Sequence, residues 1–182
     1  MEDQIILACN DEGQFEEYIP RMDGHTGNGR RHIGITIILV NKDRQVLSQH
    51  RKHLVFDDTW CFTADTHTLH KQDGIDETLE EAANRCMENE YGIKDPIKFL
   101  NLGHFNYFEK DGKYCENEFC FILLGQYDGI VEVNPKAGYD CKWLSKDEFL
   151  QDLEENPKKY SPWVKPAVNY LKQMFGGQFG AF

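Results

Sequence analysis

A surplus of positive charge, a close cysteine pair and a long apolar run are all missing from this chain, and each absence excludes something. Lys and Arg total 20 against 31 Asp and Glu, a formal charge of −11 over 182 residues. Binding along a nucleic acid requires a Lys/Arg surplus to neutralise phosphates, so no nucleic-acid partner is expected. A small anionic ligand stays open, because a local arginine pocket or a bound cation reverses the field around it. The longest apolar stretch, Ile33 to Val40, is interrupted by Gly34 and Thr36 and falls far short of a membrane span. The start, Met1-Glu2-Asp3-Gln4, has no basic segment of the signal-peptide kind. The cysteines (Cys9, Cys61, Cys86, Cys115, Cys120 and Cys141) form no CxxC pair. They read as reduced, small hydrophobes in a cytoplasmic, reducing compartment.

With 40% hydrophobic residues the chain is too apolar to be disordered. No repeat or Pro/Gly/Ser linker divides it, so residues 1–182 are expected to form a single domain with a core that needs no staples. Gln4 to Cys9 and Gln14 to Ile19 flank the turn Asn10-Asp11-Glu12-Gly13 and predict a hairpin. Ile33 to Val40 predicts a strand covered on both faces, turned by Asn41-Lys42-Asp43-Arg44 into Gln45 to Gln49. Asp76 to Tyr91 predicts the strongest helix, with Asp76 as cap, Glu81 and Arg85 as an i,i+4 pair and Gly92 as stop. Ile97 to Phe108 and Tyr114 to Leu124 predict two long strands around Asp111-Gly112. Ser145 to Glu148 is a capping box opening a helix that Pro157 closes, and Ser161-Pro162 is expected to open a last helix through Val164, Ala167, Val168 and Leu171. Hairpins mixed with few helices indicate an α+β sandwich. The tail from Gly176, with Phe179 and Phe182, is expected to be loose or to dock on a partner.

Three features carry possible chemistry. Glu116-Asn117-Glu118 lies on a predicted strand, where period two puts both carboxylates on one face, roughly 7 Å apart, with Cys120, Ile122 and Leu124 continuing it. Two acids there are either a solvated strand end or a pair served by a metal or a shared proton. His25 and His32 bracket a Gly-rich stretch, and His67 and His70 follow another polar segment; histidines with carboxylates make a nitrogen/oxygen site for a divalent metal. Glu90 falls at the edge of the helix's apolar stripe, a costly place for a carboxylate without a cation. His50, His53 and His104 are expected to do no more than pack or face solvent.

The helix segment Arg85 to Ile93 looks like the second half of the Nudix box, with Glu77 as its earlier acid, while Cys86, Asn89 and Lys71 depart from the usual glutamates and opening glycine. With His25-x6-His32, Arg51, Phe62-Thr63, His67-Thr68-Leu69, Glu116-x-Glu118 and Ser161-Pro162-Trp163, the chain from Arg21 to Val168 resembles the type 1 isopentenyl-diphosphate isomerases, a Nudix branch that also lacks those two glutamates. The resemblance implies a Nudix-type α/β/α sandwich with a central mixed sheet. It implies one divalent metal on His25, His32, His67, Glu116 and Glu118, with His70 competing for the place of His67, and a second Mg²⁺ between Glu90 and a substrate diphosphate. Mn²⁺ and Zn²⁺ are the other candidates for the His/Glu site. Arg21, Arg51 and Arg85 would serve the substrate, and Tyr107 and Trp163 would line an isoprenoid pocket where aromatic faces stabilise a carbocation. Glu118, with Tyr107 beside it, would transfer one proton. The family's opposite group is a cysteine, and here Asp65 stands in its place (Thr68 if His70 is the ligand). The implied partner is a small-molecule diphosphate, with no nucleic acid or membrane. Three functions follow: a metal-dependent isomerase of isopentenyl/dimethylallyl diphosphate, a hydrolase of a nucleoside or other organic diphosphate, and a non-catalytic diphosphate binder.

Overall fold

In the computed structural model, which describes residues 4–176, the chain builds one nine-stranded mixed sheet with helices on both faces, an α/β/α sandwich. The first hairpin joins β1 (Ile5–Cys9) to β2 (Phe15–Pro20); the Asn10 side chain accepts from the backbone of Glu12 and Gln14 and so closes the turn. A five-residue helix, α1 (Arg21–His25), leads to β3 (His32–Val40), the centre of the sheet. Eight of its nine residues are buried, as the continuous apolar run predicts. β3 pairs in parallel with β8 (Tyr114–Gln126) along its whole length and antiparallel with the short β6 (Ala64–His67). β7 (Phe99–Asp111) forms the long hairpin with β8 around Gly112. β4 (Gln45–Arg51) pairs with β5 (Trp60–Cys61) and with β9 (Gly138–Ser145).

On one face lies α2 (Leu79–Tyr91), whose Ala82, Ala83, Cys86 and Met87 pack on Ile35, Ile37, Leu39 and Leu47. The other face carries α3 (Lys146–Glu155) and α4 (Val164–Phe175), whose Phe149, Leu153, Val164, Ala167, Val168 and Leu171 pack on Ile38, Phe62 and Ile122. Two helix starts differ from the sequence expectation. α2 begins at Leu79 because Thr78 and Glu81 form a reciprocal capping box. Asp76 instead pairs with His70, and Arg85 reaches back to Glu77 rather than to Glu81. Ser161 does not cap α4: its hydroxyl is bonded to that of Thr59, and the helix starts at Val164. The Ser145 capping box of α3 forms as expected. All six cysteines are free thiols. No helix among the described residues is long and apolar enough to cross a membrane. The tail expectation, including Phe179 and Phe182, falls on 177–182, outside the described residues.

Candidate active site

Strand register assembles the site. In the β3–β8 ladder His32 stands opposite Glu118, in the β3–β6 ladder Gly34 stands opposite His67 and Thr36 opposite Asp65, and in the β7–β8 ladder Tyr107 stands opposite Glu118. One row across four strands therefore reads Tyr107, Glu118, His32/Gly34, His67. Gly34 is required where it stands, because a Cβ there would lie 2.2 Å from Glu118 Oε2. Its missing side chain lets the Glu118 carboxylate lie over β3, where Oε1 reaches His67 Nε2 at 3.0 Å and His32 Nε2 at 3.6 Å. The Tyr107 hydroxyl donates to Oε2 at 2.7 Å. Glu116, one pleat earlier, meets His25 at the end of α1, with Oε2 3.0 Å from Nδ1.

The three imidazoles form a closed triangle, with ring centroids 4.7 to 4.9 Å apart. His25, His32, His67 and Glu116 each present a ligand atom within 4.8 Å of the others, and all four are buried. His32 Nδ1 donates to the Arg30 carbonyl at 2.9 Å, which leaves the Nε2 lone pair facing the cluster. His25 Nε2 and His32 Nε2 are buried without hydrogen-bond partners, and Glu116 Oε2 has no partner beyond its contact with His25. Each unpartnered nitrogen costs about 1–3 kcal/mol if it stays unsatisfied, and two of them facing the Glu116 carboxylate fit a divalent cation held by nitrogen and oxygen donors. The electrostatics agree. His32 and His67 hold Glu118 well below the usual carboxylate range in spite of its burial. Burial, reinforced by the neighbouring His25 and His32, drives His67 well below an ordinary imidazole and leaves it neutral. Burial works against charge on His25 as well, but the Glu116 carboxylate outweighs it and raises that imidazole.

Asp65 is a half-buried carboxylate with a full set of donors: Thr36 Oγ1 at 2.7 Å, Trp163 Nε1 at 3.0 Å and Arg51 Nη1 at 2.8 Å. The Arg51 guanidinium also lies 4.8 Å from the Trp163 ring centre, and Tyr107 and Trp163 pack with centroids 5.7 Å apart. Burial pushes the Asp65 carboxyl up, with Arg51 first among the groups that oppose it. The nearby thiols of Cys61, Cys86 and Cys120 are all raised well above the ordinary value by burial and stay protonated.

A polar cavity of about 170 Å³ adjoins the cluster, lined by Gln4, Arg21, His53, Asp65, Thr66, His67, Leu69, Arg85, Cys86, Asn89 and Glu90. Glu90 is buried here, as its place on α2 predicts; Gln49 Nε2 donates to its Oε2 at 2.8 Å. Burial pushes its carboxyl up to about 7, against the hydrogen bond from Gln49 and the charge of Arg51. Arg21 donates to Gln4, and burial lowers its guanidinium. Arg85 lines the cavity as a strut, gripping Glu77 with two nitrogens and the His67 carbonyl with one.

The structure thus brings together His25, His32, His67, Glu116, Glu118, Tyr107, Asp65, Arg51 and Trp163, and sets Glu90, Arg21 and Arg85 around the adjoining cavity. His70 is not in the cluster; it pairs with Asp76 and packs against the Tyr18 ring. Sequence reasoning missed two residues. Gln49 shares the β4 face of Arg51, so strand period could have found it. His53, treated as packing, has Nε2 buried 3.8 Å from Glu90 Oε1. Burial, then Arg51 and Arg21, lower its imidazole to about 3. Nothing in its flanking sequence signals that position.

Comparison with known proteins agrees with this architecture. The isopentenyl-diphosphate Delta-isomerase of Haloarcula marismortui is 28% identical over 178 residues, covering 91% of this chain and 89% of that protein. The enzyme of the same name from Paenarthrobacter aurescens is 26% identical, covering 88% of this chain and 86% of its own. Among solved structures, DR0079 from Deinococcus radiodurans superimposes with a TM-score of 0.68 at 16% identity, over 92% of this chain and 98% of that one. A MutT protein from Methanosarcina mazei superimposes with 0.57 at 14% identity, over 78% and 91%. At such identities the structures establish the fold alone. The NUDIX domain model matches residues 30–164, which is most of the chain and includes the sheet centre, α2 and both strands of the Glu116/Glu118 hairpin. This chain belongs to the NUDIX domain family.

Proposed function

We propose that this protein is a divalent-metal-dependent enzyme acting on an organic diphosphate. The observation that carries the proposal is the convergence of His25, His32, His67 and Glu116 on one buried point next to a polar cavity bounded by arginines. His25, His32, His67, Glu116 and Glu118 would hold the cation, with Mg²⁺, Mn²⁺ and Zn²⁺ as candidates. When bound, such an ion supplies positive charge for phosphate oxygens and for charge that develops during reaction. Arg21 and Arg51 present planar guanidinium groups suited to paired phosphate oxygens. Arg85 fixes the strand that carries His67 through its bond to the His67 carbonyl.

Two chemistries fit these residues. Hydrolysis of a nucleoside or other organic diphosphate is supported by family membership and by Glu90. Its carboxyl, held at about 7, can take a proton from water at neutral pH. Isomerisation of isopentenyl diphosphate, the activity in the relatives' names, by protonation and deprotonation of a double bond is supported by the opposite wall. There Glu118 with the Tyr107 hydroxyl would handle one proton and Asp65 the other, and the Trp163 and Tyr107 rings would stabilise a carbocation.

One experiment separates them. The protein is incubated with Mg²⁺ or Mn²⁺ in D₂O, with isopentenyl diphosphate and with a panel of nucleoside diphosphates. Deuterium uptake with formation of dimethylallyl diphosphate supports isomerisation. Metal-dependent phosphate release, abolished by Glu90→Gln, supports hydrolysis. Binding of a diphosphate with no turnover in either assay makes the protein a non-catalytic binder and overturns the proposal.

A further inference from the structure

We propose that Asn117 is a positioning residue for the cation site: its side-chain amide clamps the connection between His25 and His32 onto the strand that carries Glu116 and Glu118, and so sets where the His25 imidazole meets the other ligands. The inference rests on the reading above that these residues hold a divalent cation, and it adds what keeps their donor atoms together.

The ligands differ in how the fold fixes them. His32, Glu116 and Glu118 stand on paired strands, and the β3–β8 register sets their spacing. His25 stands on no strand. It ends the five-residue α1, and the connection 26–31 then crosses β8 to reach β3. Gly27 and Gly29 in that connection have φ of 69° and 52°, and glycine leaves a chain more freedom than any other residue. A metal site needs its donors held to within about 0.5 Å of working geometry. Backbone pairing ties only the start of the connection, from Gly27 N to the Lys113 carbonyl and at the Thr26–Tyr114 bridge.

Asn117 ties the rest. It lies between the two glutamates, and strand period turns its side chain away from theirs. Nδ2 donates to the Gly29 carbonyl at 3.0 Å and to the Asn28 carbonyl at 3.3 Å, while Oδ1 accepts from Arg31 Nε at 3.1 Å. Asp11 anchors the same guanidinium at 2.8 Å. The clamp closes on a tight contact: a Cβ on Gly29 would lie 2.1 Å from the Gly24 carbonyl oxygen and 2.7 Å from Cys115 Sγ. Gly24 precedes His25 and Cys115 precedes Glu116, so the connection is seated on the chain neighbours of one nitrogen and one oxygen ligand. These partners call for an amide. An aspartate of the same shape could still accept from Arg31, but it would turn lone pairs towards two carbonyl oxygens and donate to neither.

The test is Co²⁺ and Mn²⁺ binding by the full chain, comparing the wild type with Asn117→Asp and with Asn117→Ser, a small polar change at a half-buried position. Circular dichroism checks that the variants fold. Both are expected to bind either ion about tenfold more weakly, the low end of the cost of removing a ligand's outer support. The visible d–d absorption of bound Co²⁺, which reports the number and arrangement of its ligands, is expected to change as the His25 contact loosens. A purely structural role would lower the unfolding midpoint and leave the spectrum of the saturated site as in the wild type. A folded variant with affinity within twofold of the wild type, or with the wild-type Co²⁺ spectrum at saturation, overturns the inference and leaves the cation site standing. Failure of the wild type to bind either ion overturns the cation reading, and this inference with it.

Discussion

The same face of β3 and β8 has two contrasting ends. At one end His32 leaves a ring nitrogen unpartnered and Gly34 holds the backbone clear for the Glu118 carboxylate. At the other, Ile38, Val40, Ile122 and Leu124 are covered by α3 and α4, and Phe62 stacks on Phe149 with centroids 5.0 Å apart. Trp163 marks the border, donating to Asp65 while its ring meets Tyr107 and Phe56. The strands are continuous and their backbone pairing does not change. What changes is whether the side chains satisfy one another. At the apolar end side chains satisfy one another and support the fold; at the polar end buried ring nitrogens are left without partners.

Substitution at the polar end should have the largest effect. Gly34→Ala puts a methyl group where Glu118 lies, and Glu118 cannot withdraw without giving up His67 and Tyr107. Mn²⁺ affinity measured by isothermal titration is expected to fall about 100-fold, the scale seen when a ligand loses its support. Affinity within threefold of the wild type would show that the position of Glu118 is immaterial to ion binding.

At the apolar end the expected pattern is reversed. Ile122 is fully buried under α4, and Ile122→Ala should cost about 2–5 kcal/mol in urea unfolding while leaving Mn²⁺ affinity within twofold. A large loss of affinity would mean that the two ends are coupled rather than separate.

The smallest effect lies beyond both ends, at the corner between α3 and α4. Lys159, with Tyr160 and Asn156, holds the Asp152 carboxyl at about 2, below its ordinary 3.8. Because the folded-state value is the lower one, this stability is present above pH 3.8 and disappears as pH falls towards 2. Asp152→Asn is expected to cost about 1 kcal/mol at neutral pH, reduced for solvent screening. The gap between variant and wild type should narrow as pH falls through 2 and vanish below it. A gap that persists there would assign the loss to packing rather than charge.

Much of this was legible before the structure. The apolar run of β3, the Asp111-Gly112 hairpin and the Ser145 box appear where local pattern places them, because turn chemistry and strand period are local properties. The misjudged positions involve residues with two available partners. Asp76 and Ser161 are good caps in isolation, yet His70 and Thr59, distant or differently oriented in the chain, take their side chains. Arg85 had Glu81 one turn away, but Glu81 was already engaged by Thr78, so the guanidinium turned to Glu77.

The amino-acid order by itself determined which residue types alternate on each strand, where the turns fall, and that Glu116 and Glu118 share a face. Only the tertiary structure decided that β8 runs parallel to β3 in a register opposing His32 to Glu118, that His67 rather than His70 joins them, and that His53 meets Glu90. The physical reason is range. Dihedral preference and side-chain period act over a few residues, whereas burial of unpaired lone pairs depends on which segments from across the chain exclude water from the same point.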